Sequence, residues 1–471
     1  ILRDFDFTLY QVNIDLNSNK FFKYQIIKFD GKAYTWGRWG RVGEVGQNKE
    51  KLQPSEDKAI KDFKKKFKDK TKNEWDDRAE FVTKPGLYTL IERETEHDEY
   101  VAEAKLAKFD EIDGATNNVA NCNLDESTQK LIKLIFDHDV FKRAMSKMKI
   151  DVEVSKSQIA TGFEILGEMK NVIDQKFEEQ KEFKDRLTKM SNKFYTHVPH
   201  SFGRREEIPI IADQESVREK MDMLMVLDNI KISQAMQVQA KKDMKEEVAR
   251  VYGTHHLDRQ YNSLNCDLKT LDKNSDNYAV SLWHYFRPSV HLRLKLLDAW
   301  EVDRNIEGAR FKQHDQLNNR KLLWHGTSVA CVAATLKRGL RIMPHSGGRV
   351  GRGIYFASEY TKSTASVIPS ADDIEIMFLS EVALGKEKHI LVEDFSLVEA
   401  PKGFDSVVAK GRREPDPKIN AEMTLGGHRV TIPQGAPVPL KEFRNSSFDQ
   451  SEYLIYKESQ NRIRYMLKLT F

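Results

Sequence analysis

Three short segments toward the C-terminus carry the most useful chemistry in this chain: Trp324-His325-Gly326-Thr327, Gly353-Ile354-Tyr355-Phe356-Ala357 and Ser451-Glu452-Tyr453-Leu454-Ile455-Tyr456. Each lies in an apolar, strand-like stretch and contributes one chemically useful side chain: His325, Tyr355 and Glu452. A histidine and an aromatic ring can hold a dinucleotide, and a carboxylate can stabilise a sugar cation. The trio points to chemistry at a glycosidic carbon, with NAD as the expected donor. Taken singly, His325 and Glu452 have ordinary explanations as well: a satisfied structural histidine and an edge-strand carboxylate.

The surroundings add binding groups. Gly326 permits close approach of the backbone, so its N–H and C=O can pair with a carboxamide. The run Gly347-Gly348-Arg349-Val350-Gly351-Arg352-Gly353 has the texture of a phosphate-cradling loop. A strand rather than a helix follows it, which excludes a Rossmann or P-loop assignment. Lys362 and Ser363 offer a cation for a pyrophosphate and a hydroxyl for an amide, or they are simply the polar start of a helix.

These residues need a sizeable scaffold. With 471 residues, two to four domains are expected. No apolar run approaches the roughly 20 residues of a membrane span, and nothing at the start resembles a signal peptide. The first residue is Ile1, so the true N-terminus is expected upstream. Cys122, Cys266 and Cys331 are odd in number and widely spaced. That argues against a disulfide framework and for a reducing compartment, and the lack of any CxxC pair leaves no Cys-rich zinc module. No metal is expected. The formal net charge of +4 matters less than where the charges lie.

The texture changes along the chain and predicts a multidomain α+β protein. Residues 1–100 read as β-rich, with strands over Phe21–Ile27 and Ala33–Trp36 and a turn region punctuated by glycines 37, 40, 43 and 46. From Lys58 to Lys72 the spacing of Ile60, Phe63 and Phe67 predicts a helix with lysines around the rest. Those lysines form either a solvated face or a polyanion-binding one. Residues 101–120 read as a linker. Residues 121–245 are helical, with stripes at Leu131, Leu134, Ile135, Phe141 and Met145, at Ile159 through Phe177, and at Val217, Met221, Leu224 and Leu227. Residues 246–471 alternate short apolar runs with Gly/Pro-rich loops, predicting a mostly β domain with a helix near 329–338.

At this point the motifs resemble a known family. Trp-His-Gly, then Gly-Ile-Tyr-Phe-Ala, then Glu-Tyr-Leu-Ile-Tyr is the His-Tyr-Glu signature of the poly(ADP-ribose) polymerases. Trp39-Gly40-Arg41-Val42-Gly43 resembles their WGR domain, the 121–245 bundle their helical regulatory domain, and residues 246–471 their ADP-ribosyltransferase domain. Met343 to Gly351, Glu381 to Gly385 and Gly403 to Val407 most resemble the short, mono(ADP-ribosyl)-transferring branch of the DNA-dependent group.

The resemblance implies NAD as substrate, nicotinamide as leaving group, and Glu452, His325 and Tyr355 as the catalytic set. His325, Gly326, Thr327, Arg341, Tyr355, Lys362 and Ser363 would bind NAD. Asn19, Lys20, Trp39 and Arg41 would bind DNA strand breaks bearing a 5′-phosphate. It further implies DNA-activated transfer to proteins, to the chain itself and to DNA ends in repair, by a nuclear monomer. Two departures stand out. Ser366 occupies the place of a second stacking tyrosine, which Tyr360 could replace. Gly348 and Arg349 replace Tyr and Met on the acceptor side, which favours single units over polymer. The segment Ile150–Lys156 also omits a short Pro-Leu-Gly piece typical of the family. A break-binding scaffold with an inactive transferase domain is the competing reading that Ser366 raises.

Overall fold

The computed structural model describes residues 1–2, 4–91, 121–175, 180–247, 254–271, 295–304, 306–342, 348–359 and 374–470. The helices are α1 (Glu56–Thr71), α2 (Glu126–Ile135), α3 (His138–Lys147), α4 (Lys156–Asp174), α5 (Gln180–His197), α6 (Gln214–Glu247), α7 (His256–Ser263), α8 (Glu307–Phe311) and α9 (Val332–Arg338). The chain divides into two compact units, Ile1–Glu99 with Met145–Leu227, and Tyr100–Ala144 with Asp228–Phe471.

In the first unit, strands β1 (Asp6–Asn13), β2 (Ser18–Phe29), β3 (Lys32–Arg41), β4 (Gln47–Gln53) and β5 (Thr89–Ile91) form an antiparallel sheet of order β4-β3-β2-β1-β5. Alternation puts Phe7, Leu9, Phe22, Tyr24 and Ile26 on one face. Helix α1 covers that face with Ala59, Phe63 and Phe67, one turn apart. Ser55 caps its start by accepting from Lys58 N, and Lys72 ends it in the left-handed region.

Two of the four glycines expected in the turn lie inside β3 instead. A Cβ on Gly37 would sit 2.8 Å from the Tyr24 ring, and one on Gly40 would sit 2.8 Å from Gly46 Cα. Close packing, not turning, requires glycine there. Helices α4 and α5 complete this unit with part of α6. Ser155 and Gln158 form a reciprocal capping box at the start of α4.

In the second unit the stripe read as one helix from Leu131 to Met145 is two, α2 and α3. Asp137 breaks it: its side chain accepts from Asp139 N and its carbonyl from Phe141 N, starting a new helix. The strands are β6 (Cys266–Thr270), β7 (Lys295–Arg304), β8 (Arg320–Thr327), β9 (Ile354–Phe356), β10 (Ile374–Ala383), β11 (Glu387–Ile390), β12 (Ser406–Ala409), β13 (Arg413–Pro415), β14 (Ala421–Leu425), β15 (His428–Ile432), β16 (Pro437–Pro439), β17 (Glu452–Ile455) and β18 (Asn461–Thr470).

They build a seven-stranded sheet of order β14-β15-β8-β10-β18-β7-β6, a four-stranded sheet of order β11-β12-β17-β9, and the pair β13-β16. Trp324, Met377, Leu379, Tyr465, Leu467 and Val430 form the core on one face of the larger sheet. Val350, Val407, Ala409, Phe448 and Leu454 form a smaller one beside the other.

A fully buried carboxylate ties three strands of the large sheet together. Glu381 on β10 accepts from Arg320 Nη1 at 2.7 Å and from Arg464 Nε at 2.8 Å. Removing one partner of such a network leaves uncompensated buried charge, at a cost of about 3–5 kcal/mol. The substitution Glu381→Ala should therefore lower the melting temperature of the β-rich unit by many degrees in calorimetry. A melting profile within a degree of wild type would show that the network contributes little.

Candidate active site

The site is built on the edge of β8. Trp324 exchanges both main-chain hydrogen bonds with Ala357, N–H to O at 2.8 Å and the reverse at 3.0 Å. Since amide directions alternate along a strand, Gly326 directs its N–H and C=O to that same edge, which faces Tyr355. His325, between them, aims its ring at the same place. Its Nδ1 lies 2.9 Å from the Tyr355 carbonyl, and its ring packs edge-on against Phe356.

A carbonyl only accepts, so Nδ1 carries the proton and Nε2 is left as an acceptor. Burial, the larger influence, pushes this imidazole below its ordinary pKa, against the opposing effect of the Tyr355 carbonyl. At neutral pH the ring is an uncharged acceptor for a hydroxyl.

Strand β9 also pairs with β17, with Tyr355 opposite Leu454 and Phe356 opposite Tyr453. Side chains two apart share a face, so Glu452 lies on the face of Leu454 and is a diagonal neighbour of Tyr355. Glu452 is 8% exposed, and its charge adds to the burial that holds the Tyr355 hydroxyl protonated far above its usual range. Three residues from distant sequence positions, His325, Tyr355 and Glu452, thus meet where β8, β9 and β17 adjoin.

The Gly-rich loop closes over the tyrosine. The Tyr355 hydroxyl donates to Gly351 O at 2.7 Å and accepts from Val350 N at 3.1 Å. Tyr456 Oη donates to Val350 O at 2.8 Å, so two tyrosines pin the loop. Arg349 stacks 4.4 Å over Phe448, pairs with Glu393 and donates to Ser447 O. The loop therefore presents a charged lip rather than an apolar one.

Arg341 and Thr327 lie within the same unit. Arg341 Nη2 donates to Asp228 Oδ2 and Asn229 Oδ1, each at 2.8 Å, so the part of α6 in this unit holds the guanidinium. Thr327 ends β8, half-buried. Lys362, Ser363, Tyr360 and Ser366 lie outside the described residues.

The four nucleic-acid candidates fall in the first unit with unequal exposure. Lys20 is exposed, and Trp39 is half-buried, stacked on Phe22 with centroids 6.2 Å apart. Asn19 is buried and donates to His200 O at 2.7 Å. Arg41 spends its guanidinium on carbonyls: Phe202 O at 2.9 Å, Asn17 O at 2.8 Å and Gly203 O at 3.3 Å. Among the described residues no cluster of three or more His, Cys, Asp or Glu could hold a metal ion. No described helix is long and apolar enough to cross a membrane.

Comparison with known proteins finds three family models along the chain, the middle one divided between the two compact units. Residues 5–82 match the WGR domain, 122–261 the poly(ADP-ribose) polymerase regulatory domain, and 277–471 the poly(ADP-ribose) polymerase catalytic domain. "Protein mono-ADP-ribosyltransferase PARP3" of Gallus gallus is 47% identical over 100% of this chain and 88% of its own length. Its Homo sapiens counterpart is 44% identical with the same coverage. "Poly [ADP-ribose] polymerase 2" of Homo sapiens is 30% identical over 99% of this chain and 79% of its own. The chain belongs to the poly(ADP-ribose) polymerase family. It is an NAD+ ADP-ribosyltransferase.

For a member of the poly(ADP-ribose) polymerase family, two residues at the site escaped the sequence reading. Asp228 and Asn229 follow the apolar stripe of Val217, Met221, Leu224 and Leu227. The signal was there: two adjacent short polar residues interrupt Met225-Val226-Leu227 and Ile230. Gly348 is the glycine packed directly against the Tyr355 ring. A Cβ there would sit 2.6 Å from both Cζ and Oη of Tyr355. Overpacking of this kind costs about 1–3 kcal/mol, so Gly348→Ala should lower kcat/KM for NAD by roughly tenfold to a hundredfold. Unchanged kinetics would mean the Tyr355 position is immaterial.

Proposed function

We propose that this enzyme transfers single ADP-ribose units from NAD+ to protein, itself included, and to DNA ends, in response to DNA strand breaks in the nucleus. The convergence of His325, Tyr355 and Glu452 at one strand junction carries the chemical part of this reading. Nicotinamide would stack on Tyr355, its carboxamide on the outward N–H and C=O of Gly326, with Ser363 assisting. The unprotonated Nε2 of His325 would accept from a ribose hydroxyl, with Thr327 adjacent. Arg341 and Lys362 would answer the phosphates.

As the bond from ribose C1 to nicotinamide lengthens, positive charge grows on the sugar. Glu452 would accept from the 2′-hydroxyl of that ribose and stabilise the oxocarbenium-like state. An acceptor nucleophile then bonds to C1 and loses its proton, while nicotinamide leaves with the bonding pair. The charged Arg349 lip and the missing side chain at Gly348 support single transfer, because neither offers apolar surface to a bound ADP-ribose chain. The names of the more similar relatives support the same reading.

Break dependence rests on the first unit and on Arg341. Trp39 and Lys20 would meet a 5′-phosphorylated end, and Arg41 would exchange its carbonyl partners for phosphate. Asp228 and Asn229 hold Arg341 in the structure, and NAD+ would have to displace them to reach it. DNA engagement would act by loosening the helices, a shift in populations rather than a new group at the catalytic centre.

Glu452→Gln should cut transfer from labelled NAD+ by about 10²–10³ without altering melting. Wild-type turnover in that variant would sink the catalytic assignment. Asp228→Ala releases a charge-assisted bond of about 1.5–3 kcal/mol. The KM for NAD+ without DNA should therefore fall about tenfold, approaching the DNA-stimulated value. An unchanged KM in both conditions would show that the Asp228 contact does not restrain the enzyme.

A further inference from the structure

The outer face of α1 has a pattern that neither the sheet core nor the catalytic chemistry uses. Lys58, Lys61, Lys65, Lys68 and Lys72 recur at steps of three, four, three and four, one row along the helix, and all are exposed. The row lies opposite the buried stripe of Ala59, Phe63 and Phe67. Lys68 is paired with Glu74, whereas Lys58, Lys61 and Lys65 have no ion pair among the described residues. Of the nearby carboxylates, Asp62 is engaged by the Tyr24 hydroxyl at 2.6 Å, while Asp57 and Asp69 flank the row. Like charges so aligned repel one another, and only a polyanion or solvent relieves them.

The C-terminal end of this helix lies near the Trp39 surface, reached by Lys70 from the sheet-facing side of the helix. Lys70 sits 4.9 Å over the Phe22 ring and 5.5 Å over Tyr88, and Phe22 is the ring on which Trp39 stacks. From Lys58 to Lys72 the row spans about 21 Å, which is about six base-pair steps of duplex. We propose that this face is a second DNA contact, holding the phosphates of the duplex arm that leads away from a strand end seated at Trp39. The proposal rests on the break-binding reading and extends it from the end itself to the flanking duplex. Recognition is of backbone charge, with no base read.

The test uses the full chain and 5′-phosphorylated duplexes with a long arm of about 20 base pairs or a short arm of about four, too short to reach along the row. A Lys58→Gln/Lys61→Gln/Lys65→Gln variant keeps helix-forming residues at exposed positions. On the long arm the slope of log affinity against log salt should fall by about 2–3, and affinity near 0.15 M salt should drop roughly tenfold. On the short arm wild type and variant should match, and the Lys→Arg triple variant should bind like wild type.

A control replacing the exposed Lys312, Lys402 and Lys418 by Gln changes net charge equally and should have no effect. Equal losses on both arms, or equal losses in the control, would reduce the row to general charge and overturn the proposal. An unaltered salt slope on the long arm would overturn it too. Wild-type protein that binds neither duplex would sink the break-binding reading itself, and the row's role with it.

Discussion

One reciprocal pair of main-chain hydrogen bonds, between Trp324 and Ala357, carries the geometry of the catalytic unit. It is the isolated bridge that joins an edge of β8, a member of the seven-stranded sheet, to β9 of the four-stranded one. Both residues are buried, so neither amide can turn to water without loss. Once this pair is set, the rest follows by strand geometry. His325 must lie beside the Tyr355 carbonyl, Gly326 must direct its amide groups toward Tyr355, and β17, pairing with β9, must bring Glu452 in from behind. Catalytic side chains held on strands in this way need no long loop to place them.

Buried charge in this unit is handled in two distinct ways. Glu381 sits between Arg320 and Arg464, and Glu307 against Arg304, each neutralised by a guanidinium within hydrogen-bonding distance. These carboxylates hold strands and connections in place. Glu452 is a buried carboxylate too, set beside a tyrosine whose hydroxyl is turned toward Gly351 and Val350. In the proposed reaction this carboxylate would face the ribose whose C1 gains positive charge. Arg341 is the converse case, a guanidinium next to the site whose carboxylate partner comes from α6. In the proposed NAD+ placement a pyrophosphate would bring more charge to Arg341 than the single Asp228 carboxylate does, so that pairing would restrain the site without blocking it permanently.

Much of this was legible in the sequence because it is periodic or compact. The strands around His325, Tyr355 and Glu452 announce themselves as short apolar runs, and α1 through the spacing of Ile60, Phe63 and Phe67, although the structure buries Ala59 fully and Ile60 only in part. What stayed hidden is long-range. Nothing in the order of residues shows that Gly37 faces Tyr24, that Asp228 reaches Arg341, or that Gly348 lies under Tyr355. The split between α2 and α3 was hidden for another reason. The apolar spacing continues through it, and only the Asp137 side chain, competing for Asp139 N, breaks the helix.

Two of the residues proposed as DNA contacts already have partners within the protein. Asn19 and Arg41 are hydrogen-bonded to the main chain of the helical segment, at His200, Phe202 and Gly203, in the same compact unit. That segment is firmly built. His200 is fully buried with its Nε2 3.0 Å from Lys220 Nζ on α6, and burial lowers the pKa of that lysine to about 8. A phosphate competes for Arg41 against neutral carbonyls, and a charge-assisted bond is roughly twice as strong as a neutral one. Whatever phosphate gains from Arg41, the His200–Gly203 segment loses in tethering. In the proposed binding mode the arrangement would couple ligand and helices through one guanidinium, with no need for a mechanical lever. Chemistry would also set its direction: a phosphate taking N–H donors of Arg41 draws them from the carbonyls of Phe202 and Gly203 and so would loosen that segment.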